Sequence, residues 1–227
     1  MKNIIILCLS LLSLSITSDK NFFKYTKNID NSFTLDFELS DVELETVGDY
    51  TKIKTAPEIG VTGVIGMPKL PIYTSLIMID PTKDYEVEYV VKDSYIIDNI
   101  NIIPNQHLVN GLEKTTIDDV DANFYSSRSL YPLKAVSITE PLIMRDMVLI
   151  NLSVTPFNYN PLDERLEVFT SIDIRIVETD THADIRRREM PKSRVFENLY
   201  KNKIINYHSE QRDGAYQDPS ILYICSG

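Results

Sequence analysis

The chain has 227 residues, enough for one β-sandwich or two small domains around a sizeable core. Its hydrophobic content of 43% supports such a core, and its formal net charge is −10. A protein this acidic lacks the basic surface that neutralises phosphates, so we expect no nucleic-acid partner.

The first 18 residues have the composition of a secretory signal peptide. Lys2 supplies the positive start, an apolar run extends from Ile4 to Ile16, and polar residues follow a cleavage site near Thr17 or Ser18. The run is too short to span a bilayer. We therefore expect export through a cleaved signal, a secreted or cell-surface location, and no stable membrane anchor.

Short runs of apolar, β-branched and aromatic residues predict strands, separated by links rich in Pro, Gly and Asp. A polar segment at residues 21–31, expected to be mobile, precedes the first of them. The predicted strands lie at residues 33–39, 50–54, 73–79, 85–91 and 134–139. Helical periodicity is missing until the last fifth of the chain. These features predict an all-β fold, an antiparallel β-sandwich.

The clearest strand pattern lies at residues 142–177. Residues suited to a buried face recur at every second position, which indicates strands with one buried and one solvated face. They are Val148, Ile150, Leu152 and Val154 on the first arm, and Leu166, Val168, Thr170, Ile172, Ile174 and Ile176 on the second. Turn-forming residues at 158–164 join the two arms, and Pro161 fixes φ there. The pattern predicts an antiparallel hairpin.

The composition changes at Glu178. The residues that follow are charged and poor in apolar side chains, which is typical of a linker. Ser193 is placed to cap a short helix, whose apolar stripe is Val195, Phe196, Leu199 and Tyr200. A polar link then leads to the apolar run 221–227. This run predicts a buried strand of a second, α/β domain that is truncated at Gly227.

Five segments result from these patterns. They are a signal peptide (1–18), a polar segment with the first strand (19–40), a sandwich (41–178), a linker with a short helix (179–218), and the first strand of a truncated domain (219–227).

The histidines and cysteines form no catalytic or metal-binding pattern. The histidines lie in loop-like sequence, without the spacing of a zinc-binding helix, at His107, His182 and His208. After removal of a signal peptide, Cys225 is the one remaining thiol, and no histidine follows it. A buried structural role is therefore favoured over a nucleophilic one. We expect no catalytic residue, metal ion or cofactor in this chain.

An acidic turn partly matches a calcium-binding loop. Asp119, Asp121 and Asn123 occupy the first three ligand positions. Phe124 lies where the loop needs glycine, and Leu130 where it needs a bidentate glutamate. We therefore favour an ordinary acidic surface turn over a calcium site.

Three short motifs follow one another between residues 41 and 177. The first is GMPKLP at residues 66–71, the second is Tyr125 with Tyr131-Pro132, and the third is P-x-x-Y-N-P at residues 156–161. In this order and spacing they resemble the propeptide of the gingipain-type cysteine peptidases, peptidase family C25. The final ILYICSG is similar to the first strand of the catalytic domain in that family. The motif residues, to which we assign a structural role, are Gly66, Pro68, Leu70, Pro71, Tyr131, Pro132, Pro156, Tyr159, Asn160 and Pro161.

The resemblance implies an exported zymogen whose β-sandwich prodomain covers the active site and assists folding. The partner would be the cognate catalytic domain of the same polypeptide. The catalytic Cys and His would lie beyond Gly227, so the chain is expected to be inactive alone. The alternative is a cell-surface β-sandwich used for adhesion or glycan binding.

Such a prodomain can inhibit by presenting one side chain to the specificity pocket as a substrate would. For a peptidase specific for Lys or Arg, a long basic side chain held against a carboxylate would be the anchor. The candidates in mid-chain loops are Lys114, Arg128 and Lys134. For each of them the alternative is an ordinary solvated charge.

The basic residues of the linker are candidates for activation cleavage, because proteolysis is easiest in exposed polar segments. We expect the cut between Arg186 and Arg212, and the alternative is a merely solvated charge run. The candidate positions are Arg186, Arg187, Arg188, Arg194 and Arg212.

Overall fold

A computed structural model describes residues 22–27, 32–57, 59–109, 112–113, 116–181, 185 and 193–208. The strands are β1 (Phe23–Lys27), β2 (Phe33–Glu38), β3 (Glu43–Val47), β4 (Tyr50–Lys54), β5 (Gly60–Val61), β6 (Pro71–Met78), β7 (Lys83–Asp98), β8 (Leu108–Val109), β9 (Leu112–Glu113), β10 (Val136–Ile138), β11 (Leu142–Met144), β12 (Met147–Val154), β13 (Phe157–Asn160) and β14 (Arg165–Thr181). The helices are α1 (Ala122–Tyr125) and α2 (Arg194–Lys203).

Sheet I is built around β14. One edge of β14 pairs with β7 along nearly its whole length, through three local register shifts. The other edge pairs with β13 near the start of β14 and with β2 further along, and β1 continues the sheet beyond β2. Every one of these pairs is antiparallel, as the alternation of apolar residues predicts.

Sheet II has the strand order β10-β12-β6-β5, and β11 pairs with the same edge of β12 as β10 does. Two short ribbons, β3–β4 and β8–β9, lie outside the two main sheets. Inward-facing side chains of both sheets form one apolar core, among them Phe37, Leu152, Ile172 and Ile174. The prediction of an antiparallel, all-β sandwich is confirmed.

The predicted hairpin at residues 142–177 is wrong in its pairing. The first arm, β12, pairs with β6, β10 and β11 in sheet II, whereas the second arm, β14, belongs to sheet I. The chain crosses between the sheets at Thr155 and Pro156, and β13 then forms the actual hairpin with β14. Alternation reports which face of each strand is buried, but not which strand lies beside it.

The expectation of a mobile segment at residues 21–31 is also wrong in part. Residues 23–27 form β1, which pairs along its whole length with β2. Phe23 is buried, and its ring packs 5.4 Å from that of Phe37. Phe22 lies 4.6 Å from the ring of Tyr73 across the core. Aromatic contacts therefore recruit this polar segment into the sandwich.

The predicted C-terminal helix is present as α2, but only part of its apolar stripe is buried. Phe196 and Tyr200 pack against sheet II, whereas Val195 and Leu199 are exposed. Ser193 occupies the N-cap without donating or accepting a capping side-chain hydrogen bond. The predicted signal peptide and the run 219–227 lie outside the described residues. In the described part of the chain, no helix combines the length and apolar character needed to cross a membrane.

A core truncation tests the two-sheet arrangement. Ile150 is 1% exposed and faces the core from β12, whereas Ile143 of the adjacent β11 is 51% exposed. Ile150→Ala should lower the free energy of unfolding by about 2–5 kcal/mol, because it leaves a cavity. Ile143→Ala, the matched control, should change it by about 0.5 kcal/mol or less. Urea denaturation measures both, and equal effects would contradict the assigned facing of β12.

Candidate functional site

A loop at residues 126–134, here called the Arg128 loop, leads from α1 towards β10. Its start is held by α1, which is capped by Asp121: the Phe124 amide donates a 3.0 Å hydrogen bond to Asp121 Oδ1. The Ser127 hydroxyl donates to the Phe124 carbonyl at 2.9 Å and accepts from the Ser129 amide at 3.1 Å. These bonds hold the backbone on both sides of Arg128 in a turn.

The end of the Arg128 loop is held by the sandwich. Tyr131 and Tyr159 of β13 exchange two backbone hydrogen bonds, of 3.0 and 2.8 Å. Four residues later, the Ala135 carbonyl accepts a 2.8 Å hydrogen bond from the Thr155 amide. The loop is therefore anchored at both ends by main-chain contacts, which limits its conformational freedom.

An aromatic cluster lies beneath the loop. The ring of Phe124 meets that of Tyr131 edge-on at 5.9 Å, and the rings of Tyr125 and Tyr159 lie 6.4 Å apart. The Tyr125 hydroxyl donates to the Ile102 carbonyl at 2.8 Å, and the Ile102 amide donates to the Tyr159 hydroxyl at 3.3 Å. Burial raises the pKa of Tyr125, and it raises the pKa of Tyr159 to about 12. Both phenols therefore stay neutral at physiological pH.

The first sequence motif supports the base of α1. Gly66 has a φ of +80°, and its carbonyl accepts a 3.0 Å hydrogen bond from the Asp121 amide. A Cβ atom at this position would lie 3.0 Å from the Asp121 nitrogen. Glycine is needed here both for the left-handed conformation and for the close approach of the two backbones.

The rest of that motif joins the same region to sheet II. The Thr62 hydroxyl donates to the Pro68 carbonyl at 2.7 Å and accepts from the Leu70 amide at 3.0 Å. Leu70 is fully buried, and Pro71 begins β6. Residues 66–71 thus link the core strand β6 to the start of α1.

The third motif reaches Arg128 through the turn between β13 and β14. Nδ2 of Asn160 donates to Asp163 Oδ2 at 2.8 Å, and the backbone amide of Asp163 donates to Asn160 Oδ1 at 3.2 Å. The other carboxylate oxygen of Asp163 lies 3.5 Å from Nε of Arg128, whose side chain is 75% exposed. An ion pair this exposed contributes only about 0–1 kcal/mol. The guanidinium can therefore leave Asp163 for a stronger partner at little cost.

Two of the three basic candidates lie on this loop. Arg128 is near its centre, and Lys134 is exposed near its end, beside Leu133, which is 92% exposed. Lys114 lies outside the described residues. Asp163 was not among the predicted site residues, although its position three residues after Asn160 is a typical turn signal.

The other polar candidates have contacts of a different kind. Asp119 accepts a 3.0 Å hydrogen bond from the His107 amide and lies 3.1 Å from His107 Nδ1. The part of the chain that the structure describes contains no group of three or more His, Cys, Asp or Glu side chains that could hold a metal ion. Arg194 is exposed at the first residue of α2. The other cleavage candidates, Arg186–Arg188 and Arg212, lie outside the described residues.

Comparison with known proteins identifies the family. The family model described as Propeptide_C25 matches residues 28–213, most of the chain. The chain belongs to the C25 propeptide family. Gingipain R1 of Porphyromonas gingivalis is 25% identical over 170 residues, which cover 74% of this propeptide and 17% of gingipain R1. Gingipain R2 of the same organism is 25% identical over 148 residues, 63% of this chain and 20% of that protein. The propeptide thus spans a fifth or less of these two relatives.

Two solved structures share the fold. A chain from the complex of the pro- and mature domains of P. gingivalis RgpB superposes with a TM-score of 0.69 at 21% identity, covering 83% of this propeptide and 99% of that chain. A structure on the zymogenic latency of P. gingivalis gingipain K gives a TM-score of 0.56 at 19% identity, covering 69% and 92%. The resemblance stated from the three motifs is confirmed, and the propeptide assignment is favoured over the adhesion alternative.

Substitution of Gly66 tests the support of α1. Gly66→Ala should lower the free energy of unfolding of the propeptide by about 1–3 kcal/mol, because alanine is strained at positive φ and crowds Asp121. Gly63→Ala is the matched control, since nothing lies within 4 Å of a Cβ there. Urea denaturation gives the two free energies, and amide exchange at Tyr125 reports on α1. A neutral Gly66→Ala would contradict the close approach.

The tyrosines make stability fall at alkaline pH. Burial raises the pKa of Tyr73, Tyr85 and Tyr159 to about 12, against about 10 in an unfolded chain. Their contribution to the free energy of unfolding is fully present below pH ~10 and is lost as the pH rises towards ~12. The reason is that the unfolded state releases its phenolic protons at a lower pH than the folded state. We expect the urea midpoint to fall over this window, and to fall less steeply in Tyr159→Phe. An identical decline in that variant would contradict the assignment.

Proposed function

We propose that this propeptide is the latency module of a C25 cysteine peptidase, and that the Arg128 loop occupies the active-site cleft of that peptidase. One observation carries the proposal: three motifs that are far apart in sequence support the same exposed loop. Gly66 holds the base of α1, Tyr131 bridges to Tyr159, and Asn160 positions Asp163 beside Arg128. Functional residues are often found on surface loops that a rigid scaffold holds in position. The contacts that hold the Arg128 loop therefore indicate that the loop itself has a function.

Arg128 is the residue we propose for the specificity pocket. Its guanidinium is largely exposed, and it can form a bidentate pair with a carboxylate, which the Lys134 ammonium cannot. Leu130 and Leu133 on either side of the bridge are exposed apolar side chains that the walls of a cleft would cover. We therefore propose that the partner peptidase accepts arginine.

The backbone around Arg128 explains how a substrate-like side chain can inhibit without being cleaved. A peptidase attacks a carbonyl that reaches it in a defined, near-attack geometry. Here the Ser129 amide is bonded to the Ser127 hydroxyl, and the backbone bridge at Tyr131 follows directly. The side chain can enter the pocket while the main chain is held back from the attack geometry.

We further propose the partner and the setting of this module. The partner is the cognate C25 catalytic domain, as the complex of pro- and mature domains of RgpB supports by analogy. Export through a cleaved signal peptide agrees with the composition of residues 1–18. Activation cleavage falls between Arg186 and Arg212, after the last strand of the sandwich.

An inhibition titration tests this function. Purified residues 19–227 should inhibit mature C25 peptidases such as gingipains R1, R2 and K. Arg128→Ala should raise the inhibition constant of the most strongly inhibited enzyme about 30-fold to 1000-fold, because a buried arginine anchor is typically worth about 2–4 kcal/mol. Lys134→Ala should raise it much less.

A matched control separates loss of the anchor from loss of a surface charge. Lys92 is another exposed cation with a carboxylate partner, Asp173, but it lies on β7. Lys92→Ala should leave the inhibition constant unchanged within about twofold. The proposal is wrong if no C25 peptidase is inhibited, and Arg128 is the wrong anchor if its variant inhibits as well as the parent chain.

A further inference from the structure

The segment at residues 193–208, here called the C-terminal strap, packs on the outer face of sheet II. This face is apolar at the start of β12, where Met147 and Leu149 point outward, whereas Val148, Ile150, Leu152 and Val154 enter the core. From the strap, Tyr200 and Ile204 pack against these residues and are almost completely buried. The first residues of β12 are thereby covered on both faces.

The strap also extends sheet II along an edge. Strand β5 pairs only with the first residues of β6, Pro71 and Ile72. Further along β6, Leu76 forms a parallel bridge with Ile204, and its carbonyl accepts a 3.0 Å hydrogen bond from the Ile205 amide. The strap therefore takes the place of a strand next to the second half of β6.

Asn206 completes this edge in the way a backbone would. Its Oδ1 accepts a 2.8 Å hydrogen bond from the Met78 amide, and its Nδ2 donates to the Met78 carbonyl at 2.7 Å. One side chain thus satisfies both polar groups of a strand residue. Only asparagine and glutamine carry such a donor and acceptor pair, so the contact depends on residue type.

Two more contacts involve α2, the helix of the strap. One joins α2 to sheet II, and the other joins α2 to the C-terminal end of the strap. The guanidinium of Arg145, in the turn between β11 and β12, lies 4.2 Å from the ring centre of Phe196. The Tyr207 hydroxyl donates to the buried carboxylate of Glu197. The strap therefore holds itself as a folded unit as well as adhering to the sheet.

We infer that the strap stays bound to the sandwich after the linker is cut at Arg186–Arg188, so that this cut alone does not release the propeptide. The inference rests on the proposed function only in one respect, namely that the propeptide is released from a peptidase domain. A cut at Arg194, in the first turn of α2, would also leave the buried contacts of the strap intact. Release then requires cleavage on the C-terminal side of residue 208.

The extent of the family supports this assignment. The family model continues to residue 213, so it includes the whole strap. Arg186, Arg187 and Arg188 precede the strap in the chain. Cleavage among them would give a nicked zymogen in which the strap replaces the covalent connection with a non-covalent one.

A site-specific cut tests the inference without any C25 peptidase. Residues 186–192 of the chain 19–227 are replaced by a seven-residue recognition sequence for an unrelated, site-specific protease. After cleavage, the two fragments should elute together in native size-exclusion chromatography at about 10 µM. They should separate in a denaturing gel, which shows that the cut is complete.

Variants of the strap identify what holds the fragments together. Asn206→Ala removes the paired hydrogen bonds to Met78, and Tyr200→Ala removes the central apolar contact. Together they should raise the dissociation constant of the cut strap at least ~100-fold, and Asn206→Ala alone about tenfold. Val195→Ala is the matched control on the same helix, since Val195 is 76% exposed, and it should leave the fragments associated.

Two results would overturn the inference. The first is separation of the unsubstituted fragments after the cut. The second is unchanged association of the double variant, with the sandwich shown to be folded by circular dichroism. If the double variant does not fold, the single variant Asn206→Ala still tests the inference. Because no peptidase takes part, failure here would leave inhibition by the uncut chain untouched, and the two proposals fail separately.

Discussion

The pairing of β14 on both of its edges is the constraint on which the rest of the structure depends. Strand β7 occupies one edge, and the other edge is shared by β13 and β2. The register of β13 on β14 puts Tyr159 opposite Leu166, so both side chains enter the core while Asn158 and Asn160 point the other way. A slip of one residue would turn Tyr159 outward and remove the aromatic support of the Arg128 loop. The position of the loop therefore depends on the register of β13 on β14.

The alternation of apolar residues predicted the strands well and their neighbours poorly. Ile172 and Leu152 are both fully buried, as period-two spacing requires, yet they lie in different sheets. Burial of one face is a local property of a strand, whereas pairing depends on the path of the chain between strands. At Thr155 and Pro156 that path crosses the core, and no periodic signal marks such a crossing. The run Met147–Leu152 did contain a hint of a third layer, because a nearly continuous apolar strand is typical of burial on both faces. The strap supplies the second cover.

For the candidate site as well, the sequence indicated which residues matter but not how they are arranged in space. The motifs were visible as sequence, and Gly66 could be understood alone as a residue suited to positive φ. Their convergence on one loop depends on contacts between residues about 30 to 55 positions apart, which no local pattern encodes. Selection of Arg128 among the basic residues also needed three-dimensional information, since it rests on exposure and on the exposed pair with Asp163. The family resemblance implied a basic anchor, and our proposal of Arg128 as that anchor rests on the tertiary structure.

The anchored loop and the docked strap solve complementary parts of the latency that we propose. A loop that inhibits by resembling a substrate has to be rigid, because a flexible loop would lose entropy on binding and would also adopt the geometry in which it is cut. Rigidity of the loop comes from α1 and from the Tyr131–Tyr159 bridge. A tethered inhibitor also benefits from a high effective concentration, which disappears as soon as the tether is cut. A strap that adds a strand to β6 preserves that proximity after a first cut. Activation then depends on breaking a folded contact as well as a peptide bond, so a single cut at Arg186–Arg188 would leave the propeptide in place.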